Sequence, residues 1–516
     1  MAERTKSTIN IMIGGADLWN GIKEFVKGVG RRLGLIQHLG KVENHKRINV
    51  NELEYREINF NKRLYQGNIP EWHNLRYMNT NRRMVERKQM SLGMPKIIAE
   101  KMASLVFNEG VVIELAKDSE KTEQWDKVKD VITSAKFKSE FQRYLEYMFA
   151  MGGVVVEVYL DGNTPKIAYA TADAVFPISQ DTETVDEIVI ANQFTDNGRV
   201  YTLLKWHEWD NGVYQITNEL YESGDYDALG DKVKLSKMFP DMEAVSRLQV
   251  DTPLFHYIKP NIANNKNISS PLGVSIFGNA QDTIRMLDTM YDFWYNEFRL
   301  GKRRVAVPEY LVKTGNDIHG NPYSYFDDSE ELFVALNGGE MESMEVKDLT
   351  VDIRSEQVIN SIQSLLDILS MQVGLSPGTF TFAQGGIKTA TQVVSEQSET
   401  FRTRSSHLLV IEEALRSLIL SIYEVVNLTN DETEELLERD DITIDFNDGV
   451  FLDTNAQLDF YSKLHSTGGF PLYKVLMKVL NMSEEDAKQT VAEARAEQSG
   501  RIVDIEQAVQ SAQIEV

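Results

Sequence analysis

The chain has 516 residues, 42% of them hydrophobic and 26% charged, which is close to the average for globular proteins and too long for one ordinary hydrophobic core. It contains no cysteine, which excludes disulfides, thiolate nucleophiles and cysteine-based metal sites. Acidic residues outnumber basic ones by 78 to 54, and the net charge of −24 excludes a protein whose surface as a whole grips nucleic acid by neutralising phosphates.

The N-terminal segment, residues 1–49, is basic and carries an apolar stripe. Trp19, Ile22 and Val26 recur at steps of three and four residues, which predicts a helix with one apolar face. Such a helix can lie on a membrane or on a partner, or it can dock on its own protein. The segment lacks the apolar region of a signal peptide, and no stretch of the chain is apolar over the length of a bilayer.

Helices are predicted next, at 94–107 and 123–150, and a run of strands follows them. Turns at 161–163, 196–198 and 210–212 contain Asp-Gly or Asn-Gly, which supply the positive φ angles that tight hairpins need. We therefore expect an antiparallel meander. Its predicted strands are 154–160, 166–170, 187–194, 200–209 and 213–221, with a further strand at 253–260.

Two helices of matched length, 279–300 and 355–373, carry apolar residues at alternating steps of three and four, the spacing of helices that pack side by side. Each is about 30 Å long at 1.5 Å per residue. They should run antiparallel as a stalk, with the β-rich stretch 301–352 at its tip. These apolar rows are too extensive for an exposed hairpin, so they predict packing against neighbouring copies in a ring. The rows are Ile284, Leu287, Tyr291, Trp294 and Phe298 in the first helix, and Ile359, Ile362, Leu366 and Leu369 in the second. The strands predicted within the tip are 305–313, 331–336 and 344–353.

A glycine-rich loop, 376–386, separates the second helix from a stretch without proline or glycine, 387–428, which predicts one long helix. A strand is predicted at 442–446, after an acidic run. The C-terminal part is predicted to be helical. Its helices are 454–466, 472–480 and 483–498.

No enzyme motif is present in the sequence. His207-Glu208 lacks the second histidine of a zinc helix, and Lys302 follows a single glycine, so neither a metalloprotease nor a phosphate-binding loop is predicted. The eight histidines are dispersed without ligand spacing. We therefore predict no catalytic, metal-binding or cofactor-binding residues, and no enzyme.

The order of these elements, together with a few short stretches, points to one family. Residues 94–109, MPKIIAEKMASLVFNE, and 387–394, IKTATQVV, resemble the early wing helix and the start of the tunnel helix of the portal proteins of tailed bacteriophages. Residues 468–472, GGFPL, and 483–487, SEEDA, resemble the C-terminal crown of these proteins. The resemblance is to portals of long-tailed phages of Gram-positive hosts, and it covers about residues 50 to 500.

The resemblance implies an α+β fold of portal-type architecture and a homo-oligomeric ring of about twelve copies at one capsid vertex. The ring would dock the terminase motor, which hydrolyses ATP, pass double-stranded DNA during packaging and ejection, and bind head–tail connectors, the major capsid protein and scaffolding protein. It would assemble in the host cytoplasm, reside in the virion and contact no membrane. The implied domains are an N-terminal arm (1–49), wing (50–277 and 429–452), stem helices (278–300 and 353–374), clip (301–352), tunnel loop (375–388), tunnel helix (389–428) and crown (453–516).

The tunnel loop would line the DNA channel. It has a single cation, so it can touch the duplex without tight ion pairing, and its glycines let it shift. An acidic channel would likewise keep DNA mobile. The residues predicted to face DNA are Thr379, Phe380, Thr381, Phe382, Gln384 and Lys388.

Two other classes remain open from the sequence. One is another virion structural protein, such as a minor head or adaptor protein, although adaptors are usually much shorter. The other is a large acidic hydrolase whose site uses scattered carboxylates. Rings with a central hole in images of the purified protein would favour the portal, whereas compact monomers would favour the enzyme.

Overall fold

Helices and antiparallel sheets share one main core in the computed structural model of the chain. No helix among the residues that it describes is long and apolar enough to cross a membrane. The structure describes residues 45–48, 51–78, 82–108, 110–115, 123–161, 164–180, 185–226, 228–301, 305–306, 313–316, 319–320, 322–325, 347–348, 352–381, 398–428, 437–446, 461–466, 470–480 and 487–494.

The described helices provide most of the scaffold around the sheets. Their bounds are α1 Glu52–Tyr65, α2 Pro70–His73, α3 Met94–Val106, α4 Glu123–Ile132, α5 Ala135–Met151, α6 Gln281–Leu300, α7 Ser355–Gln372, α8 Ser398–Leu428 and α9 Leu472–Leu480. The helices predicted at 94–107, 279–300, 355–373 and 472–480 are confirmed to within two residues at each end. The predicted N-terminal helix lies outside the described residues.

The single helix predicted over 123–150 is wrong, because the structure has two helices there, α4 and α5. The break falls at Ser134, whose backbone is extended and whose hydroxyl accepts a hydrogen bond from the Phe137 N–H at 3.1 Å. A serine in this position caps a new helix and satisfies a backbone donor that would otherwise be unpaired. The amphipathic pattern continues across the cap, which is why it reads as one helix.

The described strands form six sheets, of which two are large. The bounds of the strands are β1 Asn74–Met78, β2 Met84–Lys88, β3 Val111–Leu115, β4 Val154–Asp161, β5 Thr164–Thr171, β6 Val175–Gln180, β7 Val185–Asp196, β8 Arg199–Asp210, β9 Val213–Ser223, β10 Asp231–Val233, β11 Val245–Leu248, β12 Phe255–Ile258, β13 Val305–Ala306, β14 Lys313–Asn316, β15 Pro322–Tyr325, β16 Lys347–Asp348 and β17 Ile442–Phe446. The larger sheet has the order β10-β9-β8-β7-β6, with β11 also paired to β9, and the other has the order β12-β4-β5.

The predicted meander is therefore divided between two sheets. The chain leaves the first sheet through a turn of 3-10 helix at Ala172–Ala174, where buried Asp173 accepts hydrogen bonds from Lys62 at 2.5 Å and from the Thr171 hydroxyl at 2.6 Å. Strand β6, which the sequence did not predict, begins directly after it and contains Pro177 at the edge of the larger sheet. The hairpin turns at Asn197-Gly198 and Asn211-Gly212 are confirmed, since all four residues have positive φ.

A buried charged cluster joins the two sheets. Glu157 of β4 and Lys205 of β8 are 4% and 6% exposed, and the lysine Nζ lies 2.7 and 3.0 Å from the two carboxylate oxygens. His207 is fully buried, with Nε2 3.5 Å from the same carboxylate and Nδ1 2.8 Å from the Tyr214 hydroxyl. Burial alone would raise the pKa of Glu157, but Lys205 and His207 outweigh it and lower that pKa to about 2. The cluster therefore holds a charged carboxylate inside the core.

Strand β17 returns from the C-terminal part of the chain to pair with β3 along all five residues. The strand predicted at 442–446 is confirmed. Helix α8 precedes it and packs against α3, α4 and strands β4, β5 and β12. The C-terminal portion up to Phe446 thus belongs to the same core as residues 51–258.

The described part of the stretch between α6 and α7 is a set of short strand pairs, β13 with β16 and β14 with β15. The strand predicted at 331–336 lies outside the described residues. The two ends of the strand predicted at 305–313 belong to different strand pairs, since Val305–Ala306 is β13 and Lys313 begins β14. Of the strand predicted at 344–353, Lys347–Asp348 is a strand, whereas residues 352–353 are not. In the C-terminal part, residues 461–466 and 487–494 are helical, within the predicted helices 454–466 and 483–498.

Candidate functional site: the helix pair α6–α7 and the loop that follows it

Helices α6 and α7 form an antiparallel pair, since the last turns of α6 contact the first turn of α7. The Trp294 indole N–H donates to the Ser355 hydroxyl at 3.2 Å, and Arg354 pairs with Glu297 at 2.6 Å. Helix α6 ends at Gly301, where a Cβ would come within 2.9 Å of the Ile353 side chain. The predicted stalk geometry is thus present within one chain.

The predicted apolar rows of both helices face mainly into the chain itself. Tyr291, Trp294 and Ile359 are half-buried, whereas Phe298 is 49% exposed. Packing within one chain therefore covers much of both rows, and contact of the rows with neighbouring copies stays a prediction. The fully buried members are Ile284, Leu287, Ile362, Leu366 and Leu369.

Other faces of the helix pair expose aromatic and aliphatic side chains. Phe293, Tyr295 and Ile353 are each exposed by more than a third, and the Arg354 guanidinium lies 5.3 Å from the Phe293 ring centre. The sequence pattern did not single out Phe293, Tyr295 or Ile353, because they fall outside the three-and-four spacing. Phe293 and Tyr295 point to opposite sides of α6, because residues two apart on a helix do not share a face.

Two carboxylates on α6, one turn apart, bind the end of β2 and the segment that follows it. Arg87 donates to both carboxylate oxygens of Asp292 at 2.6 Å, and the Met90 N–H donates to one of them at 3.1 Å. Asp288 accepts from the Leu92 N–H at 2.8 Å and lies 2.9 Å from His73 Nε2. Burial raises the pKa of Asp292, but the hydrogen bonds from Arg87 and Met90 lower it overall.

The loop predicted to line the channel begins with a fixed turn. Gly374 has a φ of +74°, which favours glycine and turns the chain out of α7. The buried Ser376 and Thr400 then join the loop to α8, because the Ser376 N–H donates to the Thr400 hydroxyl at 2.9 Å and the Thr400 N–H donates to the Ser376 hydroxyl at 3.2 Å. This exchange fixes the entry of the loop between the two helices.

Side chains on α7 hold the next residues of the loop. Asp367 accepts from the Gly378 N–H at 3.1 Å. The Gln363 side chain donates to the Phe380 carbonyl at 3.1 Å and accepts from the Thr381 hydroxyl at 3.2 Å. Sequence reasoning missed this pair, although a Gln and an Asp four residues apart on a helix are neighbours on its surface.

The predicted DNA-facing residues divide into two groups. Thr379 and Phe380 are half-buried, and Phe380 packs against the main core, so neither is a freely exposed loop residue. Thr381 is exposed. Phe382, Gln384 and Lys388 lie outside the described residues. Residues 376–381 are hydrogen-bonded to α7 and α8, and the expectation that glycine lets the loop shift stays a prediction.

Helix α8 is fixed to the core by polar contacts at buried positions. The Arg404 guanidinium donates to the Leu105 carbonyl at 2.6 Å, and His256 Nε2 lies 2.8 Å from the Ser421 hydroxyl. His407 accepts from the Asn261 N–H at 3.1 Å. Burial lowers the pKa of His407 to about 4 and that of His256 to about 3, so both are neutral at pH 7.

Among the residues that the structure describes, no group of three or more His, Cys, Asp or Glu side chains could hold a metal ion. The cluster of Glu157, Lys205 and His207, whose composition resembles catalytic machinery, is buried between two sheets and joins them. The described features of this region are the antiparallel pair α6–α7, a loop fixed between α7 and α8, and a long helix packed along the core.

These features define a structural protein built around a helical stem, and comparison with known proteins identifies it. The family described as "Phage portal protein, SPP1 Gp6-like" matches residues 44–500. The chain belongs to this family, and it is accordingly a phage portal protein, a structural component of the virion. The resemblance seen in the sequence is confirmed, and neither the adaptor nor the hydrolase alternative holds.

Comparisons with individual proteins add little to the family assignment. No curated protein matches the chain. Among solved structures, the chain is similar to one in a structure titled "Neck of native GTA particle computed with C12 symmetry", with 10% sequence identity and a TM-score of 0.43, covering 82% of this chain and 93% of that one. This similarity is too low to support an argument about function.

Proposed function

We propose that copies of this chain form a ring of about twelve at one capsid vertex, which passes double-stranded DNA during packaging and ejection. The observation that carries the proposal is the family match across residues 44–500. This range includes helices α6, α7 and α8 and the tunnel loop. The exposed aromatic side chains of α6, Phe293, Tyr295 and Phe298, support it, because aromatic residues are enriched at interfaces between proteins.

The domains keep the roles expected from the sequence. Residues 50–277 and 429–452 form the wing, and 453–516 form the crown. The clip, 301–352, recruits the terminase motor and later the head–tail connector. The separate strand pairs at the described positions of the clip support its role as a unit apart from the main core. Capsid and scaffolding proteins contact the outside of the ring.

The tunnel loop, residues 375–388, contacts passing DNA weakly. Its anchors on α7 and α8 hold residues 375–381, and Thr381 is the exposed member of the predicted DNA-facing set within the described part. Because the chain has a net charge of −24 and the loop a single cation, Lys388, phosphates find few partners. A duplex can then slide without being trapped.

Electron microscopy of the purified protein tests the ring. We expect closed rings with a central hole at least as wide as duplex DNA, roughly 20 Å. Compact monomers at micromolar concentration would contradict the proposal.

Deleting residues 303–351 should leave the rings intact and abolish terminase binding in a pull-down, because the deleted residues lie between the paired ends of α6 and α7. Loss of rings in the deletion variant would place the assembly contacts in the clip.

A charge-addition experiment tests the channel role of the loop. Thr381→Lys with Gln384→Lys should leave the rings intact and slow DNA packaging, and the defect should lessen as salt rises, because counterion release weakens phosphate contacts. Ile268→Lys is the matched control, since Ile268 is 93% exposed and lies in the loop between β12 and α6. Unchanged packaging by the double variant at low salt would show that the loop does not face DNA.

A further inference from the structure

A cavity of about 520 Å³, which we call the α1 cavity, lies between helix α1 and the loop that joins β12 to α6. Its lining from α1 includes Glu54, Glu57 and Asn61, which share one side of the helix because they are three and four residues apart. Its other wall is formed by residues of the loop between 264 and 279. A neighbouring cavity of about 310 Å³ has four lining residues in common with it, so the two adjoin. The shared residues are Asn51, Glu54, Asn267 and Leu272.

Hydrogen bonds within the loop hold its wall of the cavity in place. The Asn264 side chain accepts from the Asn267 N–H at 3.0 Å and donates to the Leu272 carbonyl at 2.9 Å. The Asn265 side chain donates to the side-chain oxygen of Asn279 at 2.9 Å. These contacts form the wall before any ligand arrives, and a site formed in advance loses little conformational entropy on binding.

The carboxylates of the α1 cavity are not neutralised within it. Glu54 and Glu57 are both half-buried, whereas Lys266, which also lines the cavity, is exposed. One oxygen of Glu54, Oε1, is buried and has no hydrogen-bond partner among the described residues. Glu57 accepts a hydrogen bond from the neutral amide of Gln281 at 2.6 Å. A buried carboxylate oxygen without a donor is unfavourable, so a ligand that brings N–H groups and positive charge would complete the site.

Apolar side chains line the same cavity beside the carboxylates. Ile58, Met151 and Leu272 are buried members of the lining. A ligand that complements both kinds of lining has charged nitrogen atoms joined by methylene groups. Two carboxylates one helical turn apart attract two linked ammonium groups more strongly than one. A hydrated inorganic cation would leave the apolar lining without a partner, so the lining favours an aliphatic cation.

We propose that the α1 cavity binds a linear aliphatic polyamine, whose ammonium groups pair with Glu54 and Glu57 and whose methylene groups pack against the apolar lining. The cavity includes no residue of α7, the tunnel loop or α8, so the inference does not depend on the ring or on the passage of DNA. A bound polyamine links α1 to the loop that leads into α6. It should therefore stabilise the folded chain, because it binds the folded state and not the unfolded one.

Isothermal titration calorimetry of the full chain with spermidine tests the site. Glu54→Gln and Glu57→Gln each remove one charge and keep the side-chain size, and each should weaken spermidine binding about ten-fold, as expected for a lost hydrogen bond between charged groups. Glu52→Gln is the matched control, because Glu52 is on the same helix but is 57% exposed, pairs with Arg56 and lies outside the cavity lining. It should leave the affinity nearly unchanged. Equal weakening by all three variants would show only non-specific attraction to an acidic protein and would overturn the proposal.

Related amines test the class of ligand. Putrescine carries two ammonium groups and n-butylamine carries one on the same number of carbon atoms, so putrescine should bind the unmodified chain more tightly. Equal affinities would refute pairing with two carboxylates. Magnesium chloride at an equal concentration should not displace spermidine, and displacement would assign the carboxylates to an inorganic cation and refute the polyamine.

Hydrogen exchange of the unmodified chain gives a measurement that needs no variant. Spermidine should slow amide exchange in residues 264–279 and leave residues 235–244, which are outside the cavity lining, unchanged. Unchanged exchange in the loop would overturn the proposal. Spermidine binding to Lys266→Met but not to the unmodified chain would show that Lys266 itself fills the cavity, and would refute the proposal as well. Neither measurement requires a ring, so a negative result would leave the proposed function standing.

Discussion

The buried pair Glu157–Lys205 gives a quantitative test of how the two large sheets are held together. Lys205→Met removes the cation and leaves the carboxylate buried without its main partner, which costs about 3–5 kcal/mol. Glu157→Gln leaves the ammonium group unpaired and should cost a similar amount. Replacing both, as Glu157→Leu with Lys205→Met, should cost much less than the sum, because a buried ion pair can be exchanged for apolar side chains at little cost.

The same carboxylate makes stability depend on pH in a defined direction. Its pKa is about 2 in the folded chain against 4.5 in the reference state. Between about pH 5 and pH 2, Glu157 is protonated in the unfolded chain but stays ionised in the folded chain. The free energy of unfolding therefore falls as the pH drops through this range. At about 1.4 kcal/mol per pKa unit, the contribution of Glu157 lost over that range is about 3 kcal/mol. Lys205→Met should flatten this dependence.

Urea unfolding at fixed protein concentration measures these terms, with tryptophan fluorescence as the signal. Trp206 is fully buried beside Lys205 on β8, so it reports on this part of the core. Fixed concentration is needed because assembly adds to apparent stability. A cost below about 1 kcal/mol for Lys205→Met, or a double variant as costly as the sum of the single ones, would refute the view that the cluster is a tightly coupled pair.

Three further predictions concern the loop and α8. Gly374→Ala should lower the thermal stability more than Gly378→Ala. Both glycines have positive φ, but only at Gly374 would a Cβ lie 2.8 Å from the Thr403 hydroxyl oxygen. Equal unfolding temperatures of the two variants would contradict this. Asp367→Ala should speed hydrogen exchange at the Gly378 amide about five-fold, as expected for one lost hydrogen bond of about 1 kcal/mol, and unchanged exchange would show that the anchor is not formed. His407→Gln should reduce the loss of stability between pH 7 and 4. Burial lowers the pKa of His407 to about 4, so in that range the imidazole is protonated in the unfolded chain and neutral in the folded one. A pH profile of stability as steep as that of the unmodified chain would contradict this.

Local sequence signals predicted the elements well where a single short-range rule applies. Helices α6 and α7 follow from their apolar spacing, and the hairpins at Asn197-Gly198 and Asn211-Gly212 follow from turn chemistry. The errors occurred where a capping residue or a proline overrode the pattern. Ser134 begins a new helix inside a continuous amphipathic stretch. Strand β6 was not predicted because it contains Pro177, a residue that argues against a strand except at the edge of a sheet.

Long-range contacts were beyond the sequence for a physical reason. Asp288 and Asp292 look like solvent-facing residues of an amphipathic helix, and nothing nearby indicates that Arg87, about two hundred positions earlier, binds one of them. The same holds for Ser376 with Thr400 and for Gln363 with the loop. Polar residues reveal their partners only when the chain is folded, since a carboxylate accepts from any donor that the fold brings to it.

The apolar rows of the stem show how a periodic pattern differs from an interface, and a pair of variants separates the two. The spacing of apolar residues predicts that one face of a helix is buried, but it does not predict which element buries it. Here α6 and α7 pack against each other. Trp294 is half-buried and hydrogen-bonded to Ser355, so Trp294→Asp should lower the stability of the subunit by about 2–4 kcal/mol. Phe298 is 49% exposed, so Phe298→Asp should leave urea unfolding of the dissociated subunit nearly unchanged while weakening ring assembly in light scattering. If both variants impaired unfolding and assembly equally, packing within the chain and contact between copies would share the same residues, and the division drawn from the structure would be wrong.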